Sequence, residues 1–266
     1  MATKKITPAA ASDKPVAKGE TKTTTTAVAK RASTSIVSIR DQLAKQVAEL
    51  NNRVAPASGI SISITQAKEF KFPDGTKSKE FEGVIVDFVS TSFFYEGAYD
   101  PNNIAPPACF AIGTNPLQMV PSENSPVKQS DSCKGCPMNE FGSAGKGKAC
   151  KNGRLLAVLP PDADAETPIW LLKVSPTGIK AFDSHVRSVA TTFQLPPVGV
   201  VTTFSFDEGS DFASVRFGSP VMNENLEVHY ARQEEAQQLL TAEPDVSAYA
   251  AAAPAKAPVK KAGVRR

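Results

Sequence analysis

"KEFKFPDGTKSKEFEGVIVDFVSTSFFYEG", residues 68–97, is the stretch on which the fold turns. Its apolar residues recur every second position, the period of a half-buried strand, and Pro73-Asp74-Gly75 interrupts the run with turn chemistry. The reading is strand, turn, strand, with "TSFFYEG" prolonging the second strand. On a pleated strand Phe70 and Phe72 share one face and Lys71 takes the other. Phe70, Phe72, Phe81 and Phe88 are therefore expected in the core of an antiparallel sheet.

The same period extends outward. Upstream, "GISISIT" (59–65) alternates cleanly. Downstream come "ACFAIG" (108–113), then "GRLLAVLP" (153–160) and "PIWLLKVS" (168–175) as a hairpin across "PPDADAET", and "GVVTTFSFDEGSDFASVRFG" (199–218) as a last strand pair. Three segments switch to helical spacing. Ile36, Ile39, Leu43, Val47 and Leu50 form one stripe that ends at "APASG". Ile179, Phe182, Val186, Val189 and Phe193 form another behind Pro176. "ARQEEAQQLL" (231–240) reads as a short polar helix. Many short strands with one helix before the last pair argue against a parallel α/β sheet. The expected class is α+β, mainly antiparallel β: an OB-like barrel or curved sheet with helical additions.

Charge divides the chain. Residues 1–32 carry seven Lys/Arg and two acids, about +5, and residues 243–266 carry five and two, about +3. With +3 over the whole chain, residues 33–242 are left at about −5. Both ends lack periodicity and are rich in Ala, Lys, Thr or Pro, so they are expected as disordered basic tails flanking one domain over 33–242. No apolar h-region opens the chain and no window suits a bilayer span, so a soluble protein in a reducing cytoplasm is expected.

Four cysteines in 266 residues are too few for a disulfide scaffold, yet three lie within "SDSCKGCPMNEFGSAGKGKACKNGR", residues 130–154. Cys133 and Cys136 form a C-x2-C knuckle, eased by Gly135 and followed by Pro137; Cys150 follows after thirteen intervening residues. Such a knuckle points two thiolates at one tetrahedral ion. Cys109 is either a small buried strand residue or the fourth ligand. The assignment is a structural zinc held by Cys109, Cys133, Cys136 and Cys150, in a loop of about 109–154. A closed four-thiolate site has no open position for catalysis. The motif does not open a helix after a strand, as a thioredoxin-like redox pair would.

Lys128, Lys134, Lys146, Lys148, Lys151 and Arg154 stand against Asp131 and Glu140, so the zinc loop is the most positive part of an otherwise acidic core. Cations beside aromatics suit single-stranded nucleic acid, whose bases stack while its phosphates pair. Candidate contacts are Lys71, Lys79, Tyr95, Tyr99, Lys134, Phe141, Lys146, Lys148, Lys151 and Arg154. The chain has no GxxxxGK[ST], HExxH or GxSxG motif and no convincing carboxylate cluster, so no enzyme is expected.

With those residues laid out, "PPACFAIG", "SDSCKGCPMNEFGSAGKGKACKNGRLLAVL", "WLLKVSPTGIKAFDSHVRSVA" and "PVGVVTTFSFD" resemble the zinc-containing single-stranded DNA-binding proteins of some tailed bacteriophages. The similarity spans roughly residues 84–217. It rests on Cys109, Cys133, Cys136, Asn139, Phe141, Gly142, Ser143, Lys148, Cys150 and Arg154. It implies an OB-like domain, structural zinc, and a sequence-tolerant role in phage DNA replication, recombination or repair, inside an infected bacterium and alongside replication or recombination proteins. Two features depart from the pattern: Phe141 stands where a larger ring is expected, and the chain ends in "KKAGVRR" where an acidic tail is common. The alternative expectation is a zinc-stabilised structural or protein-interaction module.

Overall fold

Strand β4, Phe81–Phe94, is the spine of the molecule. The computed structural model describes residues 60–97 and 105–249. The helix expected over residues 36–50, both tails and Tyr99 lie outside the described residues. At fourteen residues β4 exceeds an ordinary strand, and it changes partner along one edge. Phe81–Val84 pair with β8 (Val200–Phe206), and Ser90–Phe94 pair with β5 (Cys109–Gly113). The other edge is held by β6, Lys151–Leu159, over Val84–Phe93, with a register shift between Ile85 and Asp87. Gly83 allows the close crossing at the start: a Cβ there would lie 2.7 Å from Val158 Cγ1.

Around the spine the strands β1 (Ser61–Ile64), β2 (Phe70–Lys71), β3 (Lys77–Ser78), β7 (Trp170–Val174), β9 (Val215–Phe217) and β10 (Val221–Met222) complete one sheet. Its main path is β10-β8-β4-β6-β7-β1-β2-β3, with β5 on β4 and β9 on β8. The hairpin β6–β7 and the pair β8–β9 are antiparallel, as their sequences imply. The pairing of β1 with β7 is parallel, so the sheet is mixed, though mostly antiparallel.

The sheet curls until its distant strands touch. Phe70 of β2 stacks on Phe206 of β8 at 4.3 Å and meets Phe81 edge-on at 4.8 Å. Phe72 packs edge-on against Phe81 and Trp170. Lys68 closes the same seam: its ammonium donates to the carbonyls of Asp207 (3.1 Å), Glu208 (3.3 Å) and Ser210 (2.6 Å). Lys68 has φ +57°, a strained left-handed conformation costing about 1–3 kcal/mol, which these charge-assisted bonds offset. Inside the curl lie Ile62, Phe70, Ile85, Leu156, Leu172 and Phe204. Helix α1, Ile179–Phe193, caps that cluster with Phe182 and also buries His185 and Val189, three residues on one face.

The opposite face is covered in part by α3 (Gln233–Thr241), which follows the short α2 (Leu226–Ala231). Ala236 and Leu240 of α3 join Val86, Val89, Ala157, Leu159 and Leu171 in a second cluster. Both faces of β6 are thus buried over Leu156–Leu159, which is why "LAVL" is continuously apolar rather than alternating. Among the described residues no helix is long and apolar enough to cross a membrane.

Candidate metal centre and nucleic-acid interface

The long connection from β5 to β6 contributes little to either apolar cluster and is shaped by hydrogen bonds. Ser122 N and Val127 N donate to the carbonyls of Phe110 and Ala108, both at 2.8 Å, holding its first part along β5. Cys133 N donates to Met119 O at 3.0 Å and Cys150 N to Met138 O at 2.8 Å. Gly135, Gly142 and Gly145 all adopt positive φ (78°, 97° and 71°), conformations in which a side chain is strained. Between them Ser143 Oγ lies within donating distance of the carbonyls of Met138 (3.0 Å) and Glu140 (2.7 Å) and accepts from Ala149 N (2.9 Å). From the far end of the domain, Glu243 accepts from Ser122 Oγ and Asn124 Nδ2, both at 2.5 Å. The bonds from Asn124 and Ser122 hold its carboxyl below the usual carboxylate range.

All four cysteines line one cavity of about 20 Å³, together with Ser92, Met138 and Asn139. Cys109 and Cys136 are buried, Cys133 and Cys150 half-buried, and all four are free thiols. Burial, reinforced by the neighbouring sulfurs, pushes Cys133 up to about 11 and Cys150 up to about 12. Such a group cannot carry several negative charges unless a cation joins it. A cavity of this size takes one ion or one water, and four sulfur donors suit zinc. As the side chains stand, no group of three or more His, Cys, Asp or Glu among the described residues could hold a metal ion. The four thiols therefore meet at the level of a shared cavity, without ready-made ligand geometry.

Both histidines are committed elsewhere. His185 Nε2 is 3.0 Å from Thr202 Oγ1 in the core, and burial keeps its pKa below the ordinary 6.5. His229, fully buried, has Nε2 at 3.0 Å from Pro160 O and Nδ1 at 3.1 Å from Asn223 Nδ2. These partners fix the tautomer: Nε2–H donates to Pro160, and Nδ1 accepts from Asn223.

Beside the cysteines a groove of about 740 Å³ runs between the loop and the start of α1. The loop side supplies Phe141, Lys146, Lys148 and Lys151; the helix side supplies Lys180 and Arg187. Phe141 is 80% exposed, an unusual position for a ring with no partner in either cluster. The carboxylate in the groove is that of Asp183, which Arg154 neutralises through contacts of 3.1 Å to each oxygen. Asn139 joins the two features. It donates to Cys133 O at 2.9 Å, and its Oδ1 accepts from Asn152 Nδ2 (2.8 Å) and Lys148 Nζ (3.3 Å).

Of the contacts expected from sequence, Phe141, Lys146, Lys148 and Lys151 share this groove. Lys134 is exposed on the knuckle but does not line it. Lys71 on β2, Lys79 and the half-exposed Tyr95 are also absent from its lining. Arg154 requires correction. Its side chain is only 9% exposed and its guanidinium is spent on Asp183, so it supports the groove floor instead of offering a free cation. Lys180 and Arg187 were not singled out in the sequence, where they look like any solvated helix face; only the fold brings that face opposite the loop.

No family model, curated protein or solved structure matches this chain.

Proposed function

We propose that this protein is a non-enzymatic, zinc-stabilised binder of single-stranded DNA built on an OB-like curled barrel. One observation carries the reading: five cations from the loop, the start of β6 and α1 line a groove with an exposed phenylalanine, next to a cavity shared by four cysteines. Phosphates would follow Lys146, Lys148, Lys151, Lys180 and Arg187, while a base stacks on Phe141. Neither contact reads base identity, so binding is sequence-tolerant. Zinc on Cys109, Cys133, Cys136 and Cys150 supplies charge neutralisation and a crosslink for a loop that has no core of its own. Asn139 carries that order to Lys148. The resemblance to phage single-strand binders implies a role in DNA replication, recombination or repair in an infected bacterial cytoplasm.

The test is anisotropy of labelled oligo-dT with the full chain, across a salt series, against duplex DNA and poly-rU. Expected are preference for the single DNA strand, a steep fall with salt, and at least tenfold loss on chelation or in Phe141→Ala combined with Lys180→Ala. Equal affinity for all three polymers, unchanged by these variants, overturns the reading.

A second reading, a protein-interaction module, draws on a different surface. Val221 and Met222 on edge strand β10 are 66% and 51% exposed, and Leu226 and Tyr230 one helical turn apart on α2 are also exposed. An open apolar edge suits a protein partner. Binding of a protein by that edge, with no single-strand preference in the groove, would favour it.

A further inference from the structure

The part of its own face that α3 leaves uncovered, beyond Val89 and Leu155, holds an arrangement separate from the groove's own stacking residue. Phe93 of β4 stands opposite Lys151 of β6, and Thr91 opposite Gly153. Cross-strand partners share a face, and alternation puts Thr91 and Phe93 on the same one. Lys173 of β7 is paired with Leu155, so it too projects there. Its ammonium lies 4.6 Å from the centroid of the half-buried Phe93 ring, two strands away.

Gly153 makes that reach possible. A Cβ on it would stand 2.9 Å from Val174 O, 3.2 Å from Thr91 Oγ1 and 3.9 Å from Lys173 Cε. The missing side chain leaves a notch across β6 along which the lysine stem lies. At the notch floor Thr91 is 3% exposed, and its Oγ1 has no hydrogen-bond partner. A buried hydroxyl without a partner costs about 1–3 kcal/mol, so its survival here calls for an explanation. The Lys173 side chain as a whole is exposed, but its amine end lies against the sheet, and this burial lowers its pKa from the ordinary 10.5.

Resting on the single-strand reading above, we propose that Phe93, Thr91 and Lys173 form a second nucleobase site, continuous with the groove through Lys151. In the free protein Lys173 covers the ring. When a single strand leaves the groove past Lys151, the lysine swings to a phosphate, a base replaces it on Phe93, and the base edge reaches the Thr91 hydroxyl. A cation over a phenyl ring is held weakly, while an ammonium–phosphate contact also releases a counterion, so the exchange runs toward the bound state. Bases stacked inside a duplex cannot enter the notch, which adds to single-strand preference.

The experiment uses the full chain with labelled oligo-dT, an abasic strand of the same length and a duplex, plus unfolding midpoints of each variant. Phe93→Leu is expected to weaken oligo-dT about tenfold with an unchanged salt slope, and to leave abasic-strand binding alone. Lys173→Met is expected to lower the salt slope by about 0.7, one phosphate contact on a single strand. Phe93→Trp reports directly, through quenching of its emission when oligo-dT binds, and serves if Phe93→Leu folds poorly. Wild-type affinity in Phe93→Leu together with no quenching in Phe93→Trp overturns this site alone, provided Phe141→Ala still weakens binding. Failure of the wild-type chain to bind any single strand removes both sites at once.

Discussion

The curled sheet and the cysteine loop are held together by different means. In the sheet, order is redundant. Phe70 touches Phe81 and Phe206, Phe81 touches Phe72 and Phe204, and Phe204 touches Phe217, so no single contact sets the curl. In the loop, order is sparse: three positive-φ glycines, one serine hydroxyl, one asparagine amide and four thiols set its shape. Redundant apolar packing gives a rigid frame whose shape depends on no bound ion. Sparse polar anchoring gives a surface whose shape follows whatever joins the thiols. That difference allows the binding side chains to be ordered by a ligand of the loop while the frame remains intact.

The strongest way to break this contrast is a cavity at the seam. Phe70→Ala removes a fully buried ring and is expected to cost about 3–5 kcal/mol of global stability, read by urea unfolding. Cys136→Ser should do something different in kind. Metal content should fall from one equivalent toward none and trypsin should cut at Lys146 and Lys148, while the unfolding midpoint of the sheet shifts little. Global unfolding of Cys136→Ser would show that loop and frame are one cooperative unit. Asp183→Asn comes next. It leaves the Arg154 guanidinium without its carboxylate, and with Asp183 about 31% exposed the loss is about 1–3 kcal/mol, smaller than for a fully buried pair. The same change removes a negative charge from the groove, so oligo-dT affinity should rise severalfold as stability falls. Parallel losses in both would mean that the pair shapes the groove.

The two regions also differ in how far their sequence could be read. The strands were legible because burial writes period two into "SISI" and "VRF", and burial on both faces writes "LAVL". The helix at Ile179–Phe193 was legible from its stripe. The parallel pairing of β1 with β7 was not, because register with a strand over a hundred residues away leaves no local pattern. The two-residue strand β10 is too short to show a period. In the site, the cysteine spacing and the lysines of one loop could be read directly, and four expected residues do meet in one groove. Arg154 was misassigned because its partner, Asp183, lies on another element. Lys180, Arg187, Phe93 and Lys173 gain their meaning only from which surfaces the fold brings face to face.

The smallest expected effect separates the two regions by pH. His185 sits in the frame, buried among apolar groups with Thr202 as its partner, and its pKa is lowered from 6.5 because burial disfavours the charged ring. Below pH 6.5 the unfolded chain takes up a proton that the folded ring still refuses, so stability present above 6.5 is lost as pH falls toward the lower folded value. Zinc thiolates respond on the same acid side for another reason, since protons compete directly with the metal for sulfur. Substitution tells the two apart. His185→Gln keeps a polar partner for Thr202 but cannot ionise, so the slope of urea-unfolding stability between pH 6.5 and 5 should flatten relative to wild type. Metal release over the same range, followed by a zinc-sensitive dye, should be unchanged. If His185→Gln altered the metal-release curve instead, frame and loop would be electrostatically coupled, and the division between rigid frame and ligand-ordered loop would fail.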